Sequence, residues 1–171
     1  MTGTFPIELT RGAVLLRQWK AADFEFYASF LGNEDTARFY GGVLDRQKAW
    51  RHLASLIGHW SLNGFGVYAV EDVQHGGPQG CVGLWEPFGW PCREFVYWFT
   101  PHAYAAGLAG QAVQLALDGV RATFPDEAIQ SFIHPDNHEA VRLAYAAGGT
   151  AEGPMPLADY GPHLKFSFPH S

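Results

Sequence analysis

A chain of 171 residues that is 47% hydrophobic and 15% aromatic can bury a sizeable core as one domain, which excludes a disordered polypeptide. A formal net charge of -6, with only 11 Lys and Arg spread along the length, excludes a bulk nucleic-acid binder, because neutralising phosphates takes clustered cations. Cys81 and Cys92 show no metal-ligand spacing and read as free thiols. With no apolar run of membrane-spanning length and no cationic, then hydrophobic start in residues 1–12, the expectation is a soluble, cytoplasmic protein without a membrane partner.

In chain order, Val14 to Leu16 predict a short strand running into Arg17 and Trp19. Asp23 opens a helix with Phe24, Tyr27, Phe30 and Leu31 on one stripe, and Gly32 with Asn33 stops it. Asp45 caps a second helix to about Leu62, whose expected buried face is Trp50, Leu53, Leu56, Ile57 and Trp60. Phe65 to Glu71 and Gly80 to Trp85 read as strands around a His75-Gly76-Gly77-Pro78 reversal, and Phe95 to Thr100 as a third. Leu108, Ala112, Val113, Ala116, Leu117 and Val120 then recur at helical spacing from Gly107 to Thr123. Ile129 to Ile133 is a strand. Asp136 and Asn137 cap a helix ending at Gly148 and Gly149, and Leu164 to Phe168 supplies a last strand or hairpin.

Between Pro101 and Gln111 small residues lie at the mouth of a helix, where unpaired N–H groups and the helix dipole favour a phosphate. The stretch Glu94-Phe95-Val96-Tyr97-Trp98-Phe99-Thr100-Pro101, followed by Tyr104 to Gln111, and the downstream Ser131-Phe132-Ile133-His134-Pro135-Asp136-Asn137 with Gly148, resemble the GNAT acyl-CoA transferase superfamily. The likeness is closest to its ribosomal-protein N-terminal acetyltransferase-like branch. Leu9, Arg11, Leu15, Leu16, Arg17 and Trp19 are similar to that branch's entry strand, and Phe39 to Gly42 to its substrate-side turn.

The resemblance covers nearly the whole chain. It implies an α+β GNAT fold over residues 1–171: a mixed, mostly antiparallel central sheet with splayed middle strands, flanked by about four helices. It further implies acetyl-CoA as co-substrate, no metal, and direct transfer of an acetyl group to a primary amine, of a protein N-terminus or a small molecule. Dimers are frequent among relatives, so a homodimer stays open. Backbone groups of Tyr97, Trp98 and Phe99 would pair with the pantetheine amides, and N–H groups of Tyr104, Ala105, Ala106, Gly107, Leu108 and Ala109 would hold the pyrophosphate. Asn137 would steady the arm, as well as capping its helix.

Acetyl transfer to an amine needs a base, an oxyanion donor and a route for the leaving thiolate. Glu94 is the first candidate base, His134 the second and Glu86 the third; the oxyanion donor is assigned to a backbone N–H between Val96 and Phe99. The family's acidic tyrosine and serine positions hold Ala144 and Ala140 here. Tyr145 would serve as acid only in a rotated or bulged helix, being about 100° round from Ala144. Ala105 and Ala106 replace the usual glycine and basic residue, with Arg142 as a compensating cation, and Gln111 replaces a glutamate. These departures leave a second reading open, a catalytically degenerate GNAT-like coenzyme A-binding module.

Phe39, Tyr40, Trp60, Trp85, Phe88 and Trp90 are candidate acceptor-side residues, and core filling is the alternative for each. The grouping of Phe39, Tyr40, Phe88 and Trp90 in turns favours a pocket rim. His134, Asp136 and His138 do not make a helical metal pair, because Pro135 places His134 outside the helix.

Overall fold

The computed structural model describes residues 4–170. Eight strands form one sheet: β1 (Glu8–Arg11), β2 (Val14–Arg17), β3 (Val67–Asp72), β4 (Pro78–Trp85), β5 (Glu94–Phe99), β6 (Ile129–Ile133), β7 (Thr150–Pro156) and β8 (Pro162–Phe168). Their spatial order is β1-β2-β3-β4-β5-β6-β8-β7, and every pairing is antiparallel except that of β5 with β6. Six helices accompany them: α1 (Phe24–Leu31), α2 (Glu34–Ala37), α3 (Arg46–Asn63), α4 (Pro101–Ala105), α5 (Leu108–Thr123) and α6 (His138–Ala146).

Strand alternation divides the core into two layers. Phe95, Tyr97 and Phe99 of β5 face the cluster containing Ala112, Val113, Ala116 and Val120 of α5. Val96 and Trp98 face the other side, with Trp19, Tyr27, Phe30, Leu53 and Leu56, and Trp98 stacks on Phe30 at 3.9 Å. Glu94 shares the parity of Val96 and Trp98, so the same period of two turns its carboxyl toward α1 and α3.

Helix limits follow from local chemistry. The Asp45 side chain accepts the Lys48 N–H at 2.8 Å to start α3, and Gly64, at φ 73°, ends it in the left-handed region. Asn137 accepts the Ala140 N–H at 3.4 Å at the start of α6. Two short helices raise the count above the expected four. α1 stops at Gly32 as expected, and Asn33 then caps α2 by accepting the Asp35 N–H at 2.8 Å, while Thr100 caps α4 by accepting the Ala103 N–H at 3.2 Å.

The buried face of α3 is Ala49, Leu53, Leu56, His59 and Trp60. Trp50 and Ile57, expected on that face, lie one position round and are exposed; Trp50 instead meets Phe24 edge-on at 5.0 Å. A buried ion cluster ties the entry strand to its neighbours: Arg17 bonds both Asp23 oxygens, at 2.8 and 2.9 Å, and reaches Glu71 at 2.5 Å. Among the described residues no helix is long and apolar enough to cross a membrane.

Candidate active site

β5 pairs with β4 along its whole length, from Gly80 opposite Phe99 to Trp85 opposite Glu94. Toward β6 it is in register only where Glu94 meets Gln130. Beyond that point the two parallel strands diverge, leaving the β6-facing edge of β5 open. Ser131 Oγ donates to the Phe95 carbonyl at 2.5 Å across the gap, and the Tyr97 hydroxyl donates to the Ala140 carbonyl of α6 at 2.7 Å, tying β5 to the helix that follows β6.

Glu94 stands at the apex of this gap and is 5% exposed. One carboxylate oxygen accepts from the Trp90 indole at 2.8 Å and the other from the Phe132 N–H at 3.2 Å. Burial pushes the carboxyl up to about 7, an effect that the two hydrogen bonds only partly offset. A carboxyl that titrates there can hold or release a proton near neutrality.

On the α1 and α3 side of the gap lies a cavity of about 200 Å³. Its walls are largely aromatic, including Tyr27, Phe39, Tyr40, Trp85, Trp90 and Trp98, and Glu94 is its one acidic lining residue. His52, Ser131, Leu157, Tyr160 and His163 also contribute, none of them anticipated from sequence. They arrive from α3, β6, β8 and the turn before β8, and only the strand order brings these segments together.

A second depression, of about 700 Å³, runs past Phe99, Tyr104, Ala105, Asn137 and Arg142. Tyr40 and Asn137 line both spaces. The Asn137 amide donates to the Tyr40 hydroxyl at 3.2 Å while its carbonyl caps α6, so one side chain performs both tasks. Burial raises the Tyr40 hydroxyl far above its ordinary range and keeps it protonated. Tyr104 lines the second space, and its buried hydroxyl has no partner within hydrogen-bonding geometry among the described residues.

The expected cradle shifts along the chain. The N–H groups of Tyr104, Ala106 and Gly107 are taken by the carbonyls of Thr100, His102 and Tyr104, at 3.2, 2.9 and 3.2 Å, because the loop winds into α4. The open donors are those of the first turn of α5, at Leu108, Ala109 and Gly110, where a helix has no acceptors of its own. Gly107, at φ 73°, precedes them in the left-handed conformation that turns α4 into α5. Arg142 borders the groove with Arg38, a second cation that sequence reading missed.

Several expectations are corrected by position. Trp60 is core: its indole donates to the Val67 carbonyl at 3.2 Å and it packs on Phe5 and Tyr68. Phe88 is fully exposed at the tip of its loop and lines neither space. Tyr145 is 56% exposed and meets Phe166 edge-on, away from the gap, because the helix is not rotated. Glu86 is bound by Arg93 at 3.0 Å. His134 does line the cavity, but its Nδ1 accepts the Asp136 N–H at 3.2 Å, so the lone pair of that nitrogen is engaged and not free to take a proton from an acceptor.

The Acetyltransferase (GNAT) domain family matches residues 13–150, and the chain belongs to that family of acetyltransferases. In overall shape it is similar to an acetyltransferase from Agrobacterium tumefaciens str. C58, with a TM-score of 0.82, 21% identity, and 93% of this chain and 92% of that one covered. It is also similar to the spermidine N-acetyltransferase of Vibrio cholerae in complex with CoA and spermine, with a TM-score of 0.71, 20% identity, and coverage of 92% and 95%. The ribosomal-protein-S5-alanine acetyltransferase of Vibrio fischeri gives a TM-score of 0.72 at 16% identity, with 95% and 96% covered.

Proposed function

We propose that this protein transfers an acetyl group from acetyl-CoA to a small primary amine with an apolar or aromatic body, with Glu94 as the base. The observation that carries this reading is a buried carboxyl, poised at about 7, at the apex of the β5–β6 gap and facing an aromatic cavity.

The open edge of β5, at Tyr97, Trp98 and Phe99, pairs with the pantetheine amides in the manner of an added strand. The first turn of α5 receives the pyrophosphate, with Arg38 and Arg142 at the rim. Glu94 takes the proton that the amine sheds as its nitrogen bonds to the thioester carbonyl carbon. A β5 N–H holds the oxyanion until the carbon–sulfur bond breaks, giving the amide and the coenzyme A thiolate, which takes its proton from solvent as Glu94 returns its own. Tyr40, at the junction of the two spaces, donates a hydrogen bond to the departing sulfur; its raised pKa suits it to stabilising a thiolate rather than surrendering the proton outright.

The cavity argues for a single ammonium on the acceptor. A polyamine would bring further charges among aromatic walls with only Glu94 to answer them, and unpaired buried charge is costly. A peptide α-amine that enters with a small or apolar first residue meets the same requirement. The test is free-thiol release from acetyl-CoA across arylalkylamines, alkylamines, peptides and spermidine. Turnover should favour single-charge apolar amines; preference for spermidine overturns the acceptor class, and silence across the panel with intact coenzyme binding overturns the reaction.

A further inference from the structure

Asp72 ends β3, His75 lies in the turn to β4 and His102 is on α4, yet the three side chains meet at one point. Asp72 is 3% exposed, whereas both histidine side chains are open to solvent. Asp72 Oδ2 lies 2.7 Å from His75 Nδ1 and 3.8 Å from His102 Nε2. The first separation is a hydrogen bond; the second, to the same oxygen, is too long for one. The rings stand at 81° with centroids 6.0 Å apart, and all three donor atoms fall within 4.8 Å of one another.

We propose that Asp72, His75 and His102 bind a divalent transition metal of the zinc class, with water completing the shell. In a four-coordinate zinc site with bonds of ~2.0–2.1 Å, neighbouring donors stand about 3.3 Å apart. The observed separations bracket that value, and small rotations of two exposed rings reach it. The carboxylate is already oriented, because its other oxygen accepts the Gln74 N–H at 2.9 Å, the kind of support that ligating carboxylates receive. Two imidazoles and one carboxylate favour zinc, copper or nickel over magnesium or calcium. Binding replaces the hydrogen bond between His75 Nδ1 and Asp72 with two bonds to the metal.

The site lies outside the reaction centre. Gly80 opposite Phe99 and Trp85 opposite Glu94 mark the two ends of the β4–β5 pairing, and the cluster belongs to the first. There Thr100 already joins the hairpin to α4 through bonds to Gln79 at 2.9 and 2.8 Å. The metal adds a second clasp between the same segments, immediately before the coenzyme cradle. It takes no part in acetyl transfer.

Calorimetric titration of tag-free full-length protein with zinc chloride tests the site. One zinc per chain is expected, with binding weakened about tenfold or more by H75A or H102A, both surface changes that spare the core. The melting temperature should rise with zinc in the wild type and not in H102A. H134A serves as control, because among the described residues His134 and His163 form a second close histidine pair, with ring centroids 5.6 Å apart; this variant should leave the stoichiometry at one. Absence of stoichiometric zinc, binding untouched by both H75A and H102A, or competition by magnesium overturns the proposal.

Discussion

The backbone N–H of Phe132 on β6 donates to the Glu94 carboxylate on β5 at 3.2 Å, beside the single register pair that these parallel strands share. A side chain thus takes the place of the next rung of the ladder. The same bond anchors the carboxyl at the mouth of the gap and marks where the backbone of β5 becomes free to pair with something else.

Replacing this carboxyl should separate chemistry from binding. Glu94→Gln is expected to lower turnover by ~10²–10⁴ at pH 8 with little change in the KM for acetyl-CoA. In the wild type, turnover should rise through about pH 7 as Glu94 ionises, and that limb should vanish in the variant. Steady-state rates between pH 5.5 and 9 read both effects.

Stability should report the same group with the opposite trend. Because burial raises the folded-state value of Glu94, the folded protein holds the proton more tightly than the unfolded chain. The contribution is therefore complete below the ordinary carboxyl range and is lost as pH rises from about 4.5 through about 7. The loss amounts to roughly 3 kcal/mol. Urea unfolding at pH 5 and pH 8 should show Glu94→Gln gaining on the wild type at the higher pH.

Tyr40→Phe should cost roughly tenfold to a hundredfold in kcat if its hydroxyl bonds the leaving sulfur. A purely structural loss would be the same for every acyl donor. The expected signature is that the deficit shrinks with a thioester of a more acidic thiol, whose departure needs less help.

Arg38 and Arg142 are exposed, so their pull on the coenzyme should be moderate and screened by salt. Changing both to Gln is expected to raise the KM for acetyl-CoA by roughly two- to tenfold at low ionic strength, with the difference fading as salt is added.

Arg17→Met should destabilise the fold by about 3–5 kcal/mol, because it leaves the buried Asp23 carboxylate without its partner. Adding Asp23→Leu should recover much of that loss. Urea midpoints of the single and double variants give the comparison.

Periodicity and capping made much of the architecture legible. Apolar spacing located α3 and α5, Asp45 and Asn137 marked helix starts, and the block around Glu94 with the Pro135-Asp136-Asn137 turn pointed to the family. Misplaced residues share a physical reason. Trp50 and Ile57 sit one helical position from the stripe, and an apolar residue count cannot separate adjacent positions of an amphipathic helix. Phe88 and Trp60 are aromatics that a sequence lists alike, although one rides a loop tip and the other fills the core. The donors of Tyr104 and Gly107 were lost to α4, whose five residues offer no apolar period to detect. Tyr40 could be placed near the acceptor, but its contact with Asn137 spans 97 residues and depends on the closure of the sheet.

The central claim is that the gap past Glu94 holds the thioester carrier as an extra strand against β5. A crystal structure of the complex with coenzyme A tests it most directly. The account predicts pantetheine amides bonded to the backbone of Tyr97 to Phe99, the pyrophosphate at Leu108 to Gly110 and the sulfur beside Tyr40. Coenzyme bound elsewhere, or β5 and β6 closed into a continuous ladder beyond Glu94, would contradict it.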